Sequence, residues 1–530
     1  MRRRLLTISV VALVIAGKPY TSMVFADGNS WWKHIEFLAD DALQGRNTGS
    51  AGHKRAADYV AEQFKKAGLE AAGTNGYIQT VAFKTRQIDE RRSSLSLMRD
   101  GKTTPLVLGE HAAFSLRIDP APAVTAPLVF IGHGLNIPEQ QINDLAGLDL
   151  KGAVVVHIAA TPRTLPGALQ AHYGSAAERW QMYRAAGAVG TITIANPKNV
   201  DVPWARSTPQ RLQPAMSLAD PSLDEYPGQQ VAITMNPAHA NMLFEGSGHT
   251  FEELLALEDA GKPLPRFALP ARVSAAIAVT RTPLESQNVA GILRGSDPAR
   301  RNEFVVVSAH LDHLGVGAPI DGDAIYNGAM DNASGIAAIL EIALRMHDAR
   351  ERPARSLLFV AVTGEEKGEL GSRYFAAHPT VSARAIAANI NIDMFLPLFP
   401  LKELMVLGLD ESDLGTDVRA VAAGMKIQVQ ADPEPQRNRF IRSDQYSFIR
   451  AGIPALAMKV GYEANTPEAA IAAKWTAERY HAPSDDLKQP VDKDAADTFV
   501  EAVRRLAVRV ANRPDRPKWN DASFFVRFSR

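Results

Sequence analysis

The chain contains no cysteine among its 530 residues, which excludes disulfide bonds and thiol catalysis and confines any metal site to histidine, aspartate and glutamate ligands. It also lacks a charge excess, because 58 basic residues are balanced by 58 acidic ones. Nucleic acid binding would require a concentrated basic face, so we expect no nucleic acid partner. Beyond the N-terminus no apolar run approaches the ~20 residues that span a bilayer, so we expect no membrane association once a leader is removed.

The N-terminus has the pattern of a secretory signal peptide at residues 1–26. Arg2, Arg3 and Arg4 precede a short, mostly apolar stretch at residues 5–17, and the segment ends in Val-Phe-Ala. An uncleaved anchor is the alternative, but the apolar stretch is shorter than a membrane span. The sequence therefore predicts an exported protein, periplasmic or secreted. It leaves the oligomeric state open.

Composition shifts divide the rest of the chain. Proline-rich segments near residues 119–122 and 263–270 enclose a stretch that has its own strand and helix patterns. We predict an N-terminal part of the main domain at 27–118, an insert at 119–275, the core of the main domain at 276–515 and a C-terminal tail at 516–530. The insert is predicted to be a β-rich α+β unit.

From residue 288 onward, continuous apolar runs alternate with helical patterns. Strands are predicted at residues 304–307, 357–362, 385–392 and 454–460, and a helix at residues 334–346. Such alternation predicts an α/β fold with a mostly parallel central sheet and helices on both faces. Open sheets of this kind place their sites beyond the carboxyl ends of the strands.

Acidic and histidine residues lie where this fold would place a site. His310 follows the first predicted strand, Glu366 the second and Asp393 the third, while Asp331 precedes the predicted helix and His481 follows further on. Two histidines and three carboxylates are enough to hold two zinc ions, with one carboxylate bridging. Each residue also has an ordinary structural explanation, such as a helix N-cap for Asp331.

Three further acids have chemically sensible positions. Asp312 lies two residues after His310 and would point the same way on an extended segment, so its carboxylate is predicted to orient the imidazole. Asp485, four residues after His481, is predicted to orient that histidine similarly. Glu365 directly precedes Glu366, and two adjacent acids at a strand end would repel each other without a cation nearby. Glu365 is therefore the candidate base beside a metal ligand.

Five segments resemble, in the same order, the motifs of the co-catalytic di-zinc aminopeptidases, a family that includes glutamate carboxypeptidase II. They are residues 308–315 (SAHLDHLG), 328–335 (GAMDNASG), 363–372 (TGEEKGELGS), 391–394 (NIDM) and 480–485 (YHAPSD). Residues 38–52 and 286–291 are similar to upstream segments of these enzymes. The insert resembles a protease-associated domain at residues 149–152 and 185–188.

The resemblance implies a zinc exopeptidase fold with two Zn2+ ions as cofactors. Asp331 would bridge both ions. His310 and Asp393 would complete the protein ligands of one ion, and Glu366 and His481 those of the other. Cobalt or manganese could replace zinc on such ligands, so the metal used in the cell stays open.

The resemblance also implies the catalytic roles. Glu365 would be the general base, Asp312 would support the catalytic site, and Tyr480 would help to stabilise the oxyanion. The peptide bond between Asp331 and Asn332 would be cis.

The sequence departs from the family pattern at several points. Gln445 stands where relatives often have histidine, and residues 394–397 (Met-Phe-Leu-Pro) are bulkier than expected, which indicates either an apolar substrate pocket or core packing. His313 is interpreted as structural. Arg439 and Arg442 are interpreted as surface ion-pair partners, with binding of a substrate carboxylate as the alternative.

The predicted function is an exported zinc metallo-exopeptidase, an aminopeptidase that removes N-terminal residues from peptide substrates. A di-zinc carboxypeptidase or amidohydrolase is the main alternative, but the interval from Asp393 to His481 is too short for the lid domain of those enzymes. A non-catalytic binding protein, as in transferrin-receptor-like relatives, is disfavoured because the ligands and the base are all retained. A single-zinc enzyme resembling glutaminyl cyclase is disfavoured by the complete two-metal set.

Overall fold

The computed structural model describes residues 28–162, 164–437 and 439–529, so the predicted signal peptide lies outside the described residues. The strands are β1 (Glu70–Ala71), β2 (Ile78–Ile88), β3 (Ser94–Arg99), β4 (Lys102–Pro105), β5 (Ala112–Phe114), β6 (Ala123–Phe130), β7 (Asn136–Ile137), β8 (Ile142–Asn143), β9 (Val154–Ala159), β10 (Gly190–Ala195), β11 (Ala215–Leu218), β12 (Val231–Met235), β13 (Phe267–Ala276), β14 (Val279–Leu293), β15 (Phe304–His310), β16 (Gly315–Ile320), β17 (Asp323–Tyr326), β18 (Ser356–Val362), β19 (Ile386–Asn391), β20 (Glu403–Leu407), β21 (Gln428–Ala431) and β22 (Ala455–Val460).

The helices are α1 (Gly28–Leu38), α2 (Ala51–Lys66), α3 (Gly167–Gly174), α4 (Ala176–Ala185), α5 (Trp204–Ser207), α6 (Asn241–Phe244), α7 (Phe251–Asp259), α8 (Ser334–Asp348), α9 (Leu370–Ala377), α10 (Leu414–Met425), α11 (Gln445–Arg450), α12 (Pro467–Arg479) and α13 (Lys493–Asn512). In the part of the chain that the structure describes, no helix combines the length and the apolarity that crossing a membrane requires.

The larger sheet has the strand order β11-β2-β14-β18-β15-β19-β22-β20-β21, with β1 paired to β14. Its four central strands, β18, β15, β19 and β22, are parallel, as predicted. On one side β14 pairs with β18 and β2 in antiparallel fashion, and on the other β20 pairs antiparallel with β22 but parallel with β21, so the sheet is mixed rather than mostly parallel. The reason is that the chain leaves the sheet along β2 and returns along β14, and these two long strands pair over eleven residue positions.

Helices cover both faces of the larger sheet, as predicted. On β15, Val305, Val307 and Ala309 face the core formed with α1, α2, α8 and α13, whereas Val306 faces the core formed with α9 and α11. This alternation follows from the two-residue period of a strand, and it explains why β15 is apolar along its whole length. The central strands are therefore buried on both sides, and their carboxyl ends meet at one edge.

A second sheet has its own core and the strand order β4-β3-β13-β6-β9-β10-β12-β5. Its strands β3, β4 and β5 lie before residue 119, where the insert was predicted to begin. The chain that forms this sheet also contributes β11, which leaves it and pairs with β2 at the edge of the larger sheet. The pairing of β11 with β2 therefore connects the chain of the second sheet to the edge of the larger sheet.

Candidate metal centre

The predicted site residues converge at the carboxyl edge of the central parallel strands. His310 is the last residue of β15, Glu365 and Glu366 follow β18, and Asp393 follows β19. Asp331 lies in the segment before α8, and His481 follows α12 with a left-handed backbone at φ 54°. Residues that are up to 171 positions apart in the chain, from His310 to His481, thus share one small region.

Asp331 lies between two histidines, one at each of its carboxylate oxygens. Its Oδ1 lies 3.3 Å from His310 Nε2, and its Oδ2 lies 3.3 Å from His481 Nε2. Beyond the histidines, Asp393 Oδ1 is 3.4 Å from His310 Nε2, and Glu366 Oε2 is 3.3 Å from His481 Nε2. The result is two adjacent donor sets that have Asp331 in common.

His310 is oriented by Asp312, but through the main chain rather than the side chain. His310 Nδ1 lies 3.1 Å from the carbonyl oxygen of Asp312, so Nδ1 carries a proton and Nε2 is directed towards the carboxylates. The Asp312 carboxylate instead accepts hydrogen bonds from the backbone N–H groups of Glu365, at 3.1 Å, and Glu366, at 3.4 Å. It also accepts a bond from the Thr48 hydroxyl at 2.8 Å. Asp312 thus positions both the imidazole and the two glutamates.

The backbone around Asp331 is held by two buried side chains. The peptide bond from Asp331 to Asn332 is cis, as the resemblance implied. Asp485 accepts the backbone N–H groups of Met330 and Asp331 at 2.9 and 3.0 Å, so its carboxylate serves this segment rather than orienting His481. On the other side Arg46, which is 0% exposed, donates to the carbonyl oxygens of Gly328 and Asp331.

Arg46 ties the whole metal edge together. Besides Gly328 and Asp331, its guanidinium donates to the carbonyl oxygens of Leu38, Leu311 and Asn327. Burial lowers the pKa of Arg46 to about 10, while the nearby acids, led by Asp485, oppose that fall. At neutral pH the guanidinium therefore stays charged inside a region rich in carboxylates.

The electrostatics of the donor sets favour positive charge among the carboxylates. Although burial lowers it, the pKa of His310 is raised well above its usual range by Glu365, Asp331 and Asp393. The acids also raise the pKa of His481 to about 10, again against the effect of burial. Carboxylates packed this closely in a buried region are stable only when cations neutralise them.

Glu365 and Tyr480 lie beside the donor sets rather than within them. Glu365 Oε2 is 4.0 Å from His310 Nε2, and burial together with the carboxylates of Asp393 and Glu366 raises the pKa of Glu365 well above its usual range. The ring of Tyr480 lies 4.0 Å from that of His481. Burial raises the pKa of Tyr480 well above its usual range, so its hydroxyl stays protonated and can donate a hydrogen bond.

The donor atoms fit zinc by two observations. Asp393 Oδ1 and Glu366 Oε1 are buried and accept no hydrogen bond from the described residues. Zinc bonds of about 2.0–2.1 Å at tetrahedral angles place neighbouring ligand atoms about 3.3–3.4 Å apart. The four separations around Asp331 lie at 3.3 to 3.4 Å, which matches that spacing. The residues present therefore suit a metal ion on each side of Asp331.

An apolar cavity of about 120 Å3 opens beside Asp393 and Tyr480. Its apolar lining is formed mainly by Met394, Leu396, Phe399, Met405, Leu407 and Val460. Phe395 between them points into the core and stacks on Phe499 with 4.1 Å between ring centroids. Within the bulky segment at residues 394–397, Phe395 therefore belongs to the core, whereas Met394 and Leu396 line the cavity.

The chain of the second sheet reaches the mouth of this cavity through Asp201. Asp201 Oδ2 accepts a hydrogen bond from Arg442 at 3.0 Å, and Oδ1 pairs with Arg437. Arg442 lines the apolar cavity and also a larger cavity of about 610 Å3 that lies mostly within the insert. Arg439 pairs with Glu434 at 2.7 Å. The ion pairs expected for Arg439 and Arg442 are therefore present.

Several contributors to the site were not predicted from the sequence. Arg46 and Asp201 act across more than 200 residues of chain, and no local pattern identifies such partners. His313, which was interpreted as structural, has its Nδ1 2.7 Å from Glu366 Oε1. The sequence feature that could have indicated this contact is the second histidine in the segment His310-Leu311-Asp312-His313.

Comparison with known proteins agrees with the motifs. The sequence model of peptidase family M28 matches residues 288–507. Leupeptin-inactivating enzyme 1 of Streptomyces exfoliatus is 31% identical over 182 residues, which cover 34% of this chain and 37% of that protein. Leucine aminopeptidase 1 of Arthroderma otae is 33% identical over 173 residues, which cover 30% of this chain and 44% of that protein. The chain thus matches less than half the length of these curated relatives.

The solved structure of an aminopeptidase from Aneurinibacillus sp. strain AM-1 resembles most of the chain. It superimposes with a TM-score of 0.54 at 20% sequence identity, covering 93% of this chain and 95% of that one. At this identity the likeness shows a shared fold. The resemblance first indicated by the five motifs is confirmed by the family match.

Proposed function

We propose that this chain, whose residues 288–507 belong to peptidase family M28, is an exported di-zinc aminopeptidase that removes N-terminal residues from peptides. The observation that carries the proposal is the position of Asp331, with one carboxylate oxygen 3.3 Å from His310 and the other 3.3 Å from His481. A carboxylate shared in this way is suited to bridge two cations. On this proposal His310 and Asp393 hold one zinc ion, and Glu366 and His481 the other.

Two zinc ions held there would act as Lewis acids and make water a stronger nucleophile near neutral pH. The chain's own residues supply the proton transfers. Glu365 accepts a proton from the attacking water and then delivers it to the leaving amine, and its raised pKa favours the first of these two steps. Tyr480 keeps its hydroxyl proton and donates a hydrogen bond to the oxyanion that develops on the scissile carbonyl.

The apolar cavity beside Asp393 supports a preference for apolar N-terminal side chains. Its lining by Met394, Leu396, Phe399 and other apolar residues would favour burial of an aliphatic or aromatic group. The free amine would lie towards the carboxylate of Glu365, which this proposal assigns to neither zinc ion, because a carboxylate stabilises a nearby cation. On this proposal the preference for apolar side chains and the preference for the N-terminus of a peptide are both set by the same cavity and the residues beside it.

A carboxypeptidase would need a cation free to bind the substrate's terminal carboxylate. Arg442 is already paired with Asp201, and Arg439 is paired with Glu434. These ion pairs weigh against the carboxypeptidase alternative. The structured insert, which we propose to be a protease-associated domain, contributes Asp201 at the mouth of the cavity.

End preference is tested with one peptide in three forms: both ends free, N-terminus acetylated, and C-terminus amidated. Zinc-loaded enzyme is expected to cleave the free and amidated forms and to leave the acetylated form intact. Glu365→Gln should cleave none of them while it binds the same amount of zinc. Cleavage of the acetylated form with loss of activity on the amidated form would instead establish a carboxypeptidase. Export is tested separately by sequencing the N-terminus of the protein recovered from its native host.

A further inference from the structure

The second sheet has a carboxyl edge of its own. Its strands β6, β9, β10 and β12 are parallel, so they end on the same side of the sheet. The cavity of about 610 Å3 in the insert lies at this edge, because its lining includes His133 after β6, Thr161 after β9 and Asn199 after β10. Open sheets with parallel strands place their ligands beyond the carboxyl ends of those strands. The cavity therefore has the position of a binding site.

Two buried side chains that line this cavity have hydrogen-bonding atoms to spare. His133 is 9% exposed and Arg179 is 6% exposed. Among the described residues, His133 Nδ1 and Arg179 Nε have no hydrogen-bond partner. The other nitrogens of the Arg179 guanidinium donate to the carbonyl oxygens of Gly174 and Ala160, at 3.1 and 2.7 Å. Buried polar atoms without a partner cost free energy, so both atoms are suited to bind a polar ligand.

The position of His133 at the cavity is fixed by its neighbours. Gly132 and Gly134 have left-handed backbones, at φ 65° and 69°, so the chain turns sharply on both sides of His133. The Tyr183 hydroxyl donates to the carbonyl oxygen of Gly134 at 3.0 Å. A Cβ at Gly134 would clash with that hydroxyl, so this close contact requires glycine. The site is thus formed before a ligand binds.

The charges around the cavity favour a ligand with acceptor oxygens. Arg179 contributes a buried positive charge, and Lys262 and Arg266 contribute two more. The acids of the lining already have partners among the described residues: Asp144 accepts the backbone N–H of Leu135, Glu258 accepts the Asn196 amide, and Asp259 pairs with Lys198. A carbonyl or carboxylate oxygen is therefore better suited to this cavity than a cation.

The cavity of the insert adjoins the apolar cavity beside the metal edge. Arg442 lines both of them, and Asp393 and Tyr480 line the apolar one. The proposed zinc ligands, all of which are described, do not line the cavity of the insert. A peptide whose N-terminal side chain occupies the apolar cavity would thus continue past Arg442 towards the carboxyl edge of the second sheet.

We infer that the cavity of the insert binds the part of a peptide substrate that follows the scissile bond. Arg179 Nε donates to a carbonyl or carboxylate oxygen of that part, and His133 Nδ1 supplies a second hydrogen bond. This inference rests on the proposed function, because it presumes that the N-terminal residue lies at the metal edge. The preferred substrates are then oligopeptides, since a dipeptide ends before it reaches the insert.

The test measures kcat and KM for a dipeptide, a tetrapeptide and an octapeptide that share an N-terminal leucine. His133→Leu removes a hydrogen-bonding group inside the cavity, and Lys262→Glu reverses a charge at an exposed position of its lining. Lys102→Glu is the matched control for the second variant, because Lys102 is also exposed but lies on the edge strand β4. The dipeptide reports whether the metal edge of each variant is intact.

We expect the wild-type KM to fall from the dipeptide to the octapeptide while kcat stays nearly constant. His133→Leu should raise KM for the octapeptide about two- to tenfold, as for the loss of one hydrogen bond, and leave the dipeptide unaffected. Lys262→Glu should also raise KM for the octapeptide, whereas Lys102→Glu should not. Amidation of the C-terminus distinguishes the two kinds of oxygen: if the advantage of length is lost, the terminal carboxylate is bound, and if it is kept, backbone carbonyls are bound.

A wild-type KM that does not depend on peptide length would overturn the inference and leave the proposed function intact. Equal losses on the dipeptide and the octapeptide in His133→Leu would do the same. The length series needs only the wild type, so the inference is tested even if a variant does not fold. If zinc-loaded wild type removed no N-terminal residue from any of the three peptides, the proposed function itself would be overturned.

Discussion

Arg46 offers the sharpest prediction about what holds the metal edge in place. Its guanidinium donates to five backbone carbonyls, those of Leu38, Leu311, Asn327, Gly328 and Asp331. A lysine at this position keeps the charge, but its single ammonium has only three donors. Since the carbonyl of Gly328 also accepts a hydrogen bond from the backbone N–H of Ala333, Arg46→Lys leaves at least one buried carbonyl without a partner.

The expected loss of stability follows from that difference. A buried polar group left without its hydrogen bond costs about 1–3 kcal/mol. This is a substantial part of the about 5–15 kcal/mol that typically stabilises a domain. The segment that carries Asp331 should loosen at the same time, because the carbonyl of Asp331 loses its donor and that of Gly328 loses one of its two donors.

The assay is urea denaturation of zinc-loaded protein, together with activity on a free-ended peptide. Arg55→Lys is the matched control, because Arg55 is exposed and donates to a single carbonyl, that of Ala42. The control should stay within about 0.5 kcal/mol of wild type. If Arg46→Lys were as stable and as active as Arg55→Lys, the guanidinium would not organise the metal edge as argued.

Three further predictions concern the supporting residues and the protons of the site. Asp312→Ala removes the acceptor for the backbone N–H groups of both glutamates, so zinc affinity measured by calorimetry should fall about 10–100-fold. Asp312→Asn keeps one acceptor oxygen, so its zinc affinity should fall less. Equal losses of affinity in the two variants would contradict this role of Asp312. Asp201→Asn weakens the ion pair with Arg442, which at this exposure contributes about 0.2–1 kcal/mol. The KM for peptides should therefore rise by up to about fivefold while kcat is retained. A fall in kcat alone would contradict this role of Asp201. In the metal-free enzyme the pKa of His310 is raised well above the ordinary 6.5, and the pKa of His481 is raised from 6.5 to about 10. The stabilisation that comes from protonating these two histidines is therefore complete below pH 6.5, and it is lost as the pH rises towards the raised pKa values. Chelated protein should therefore become less stable between pH 6.5 and 9 in denaturant titrations, and constant or rising stability would refute the assignment.

The central strands could be predicted from the sequence because their signal is local. The continuous apolar runs that became β15, β18, β19 and β22 are long enough to be recognised without a partner, and the site residues follow directly from their ends. The mixed character of the sheet could not be predicted in this way. It depends on the pairing of β2 with β14, which are separated by the whole second sheet.

In the candidate site, too, the residues with a local signal could be predicted and those without one could not. Short motifs predicted His310, Asp331 and Glu366 as a set. Their supports, Arg46 and Asp485, act through contacts between segments far apart in the chain, and Asp485 was assigned to a different partner. Asp312 was predicted to orient His310, which it does through its carbonyl, because a main-chain acceptor leaves no trace in the residue type.

The most direct test of the account joins metal content to the chemistry of one residue. Wild type and Glu365→Gln are loaded with zinc, their zinc content is measured, and both are incubated with a mixed peptide pool that is read by mass spectrometry. The account predicts two zinc ions per chain in both proteins, and loss of single N-terminal residues with the wild type only. Loss of zinc from Glu365→Gln, or N-terminal trimming that survives in it, would contradict the assignment of Glu365 as the base beside a two-zinc centre.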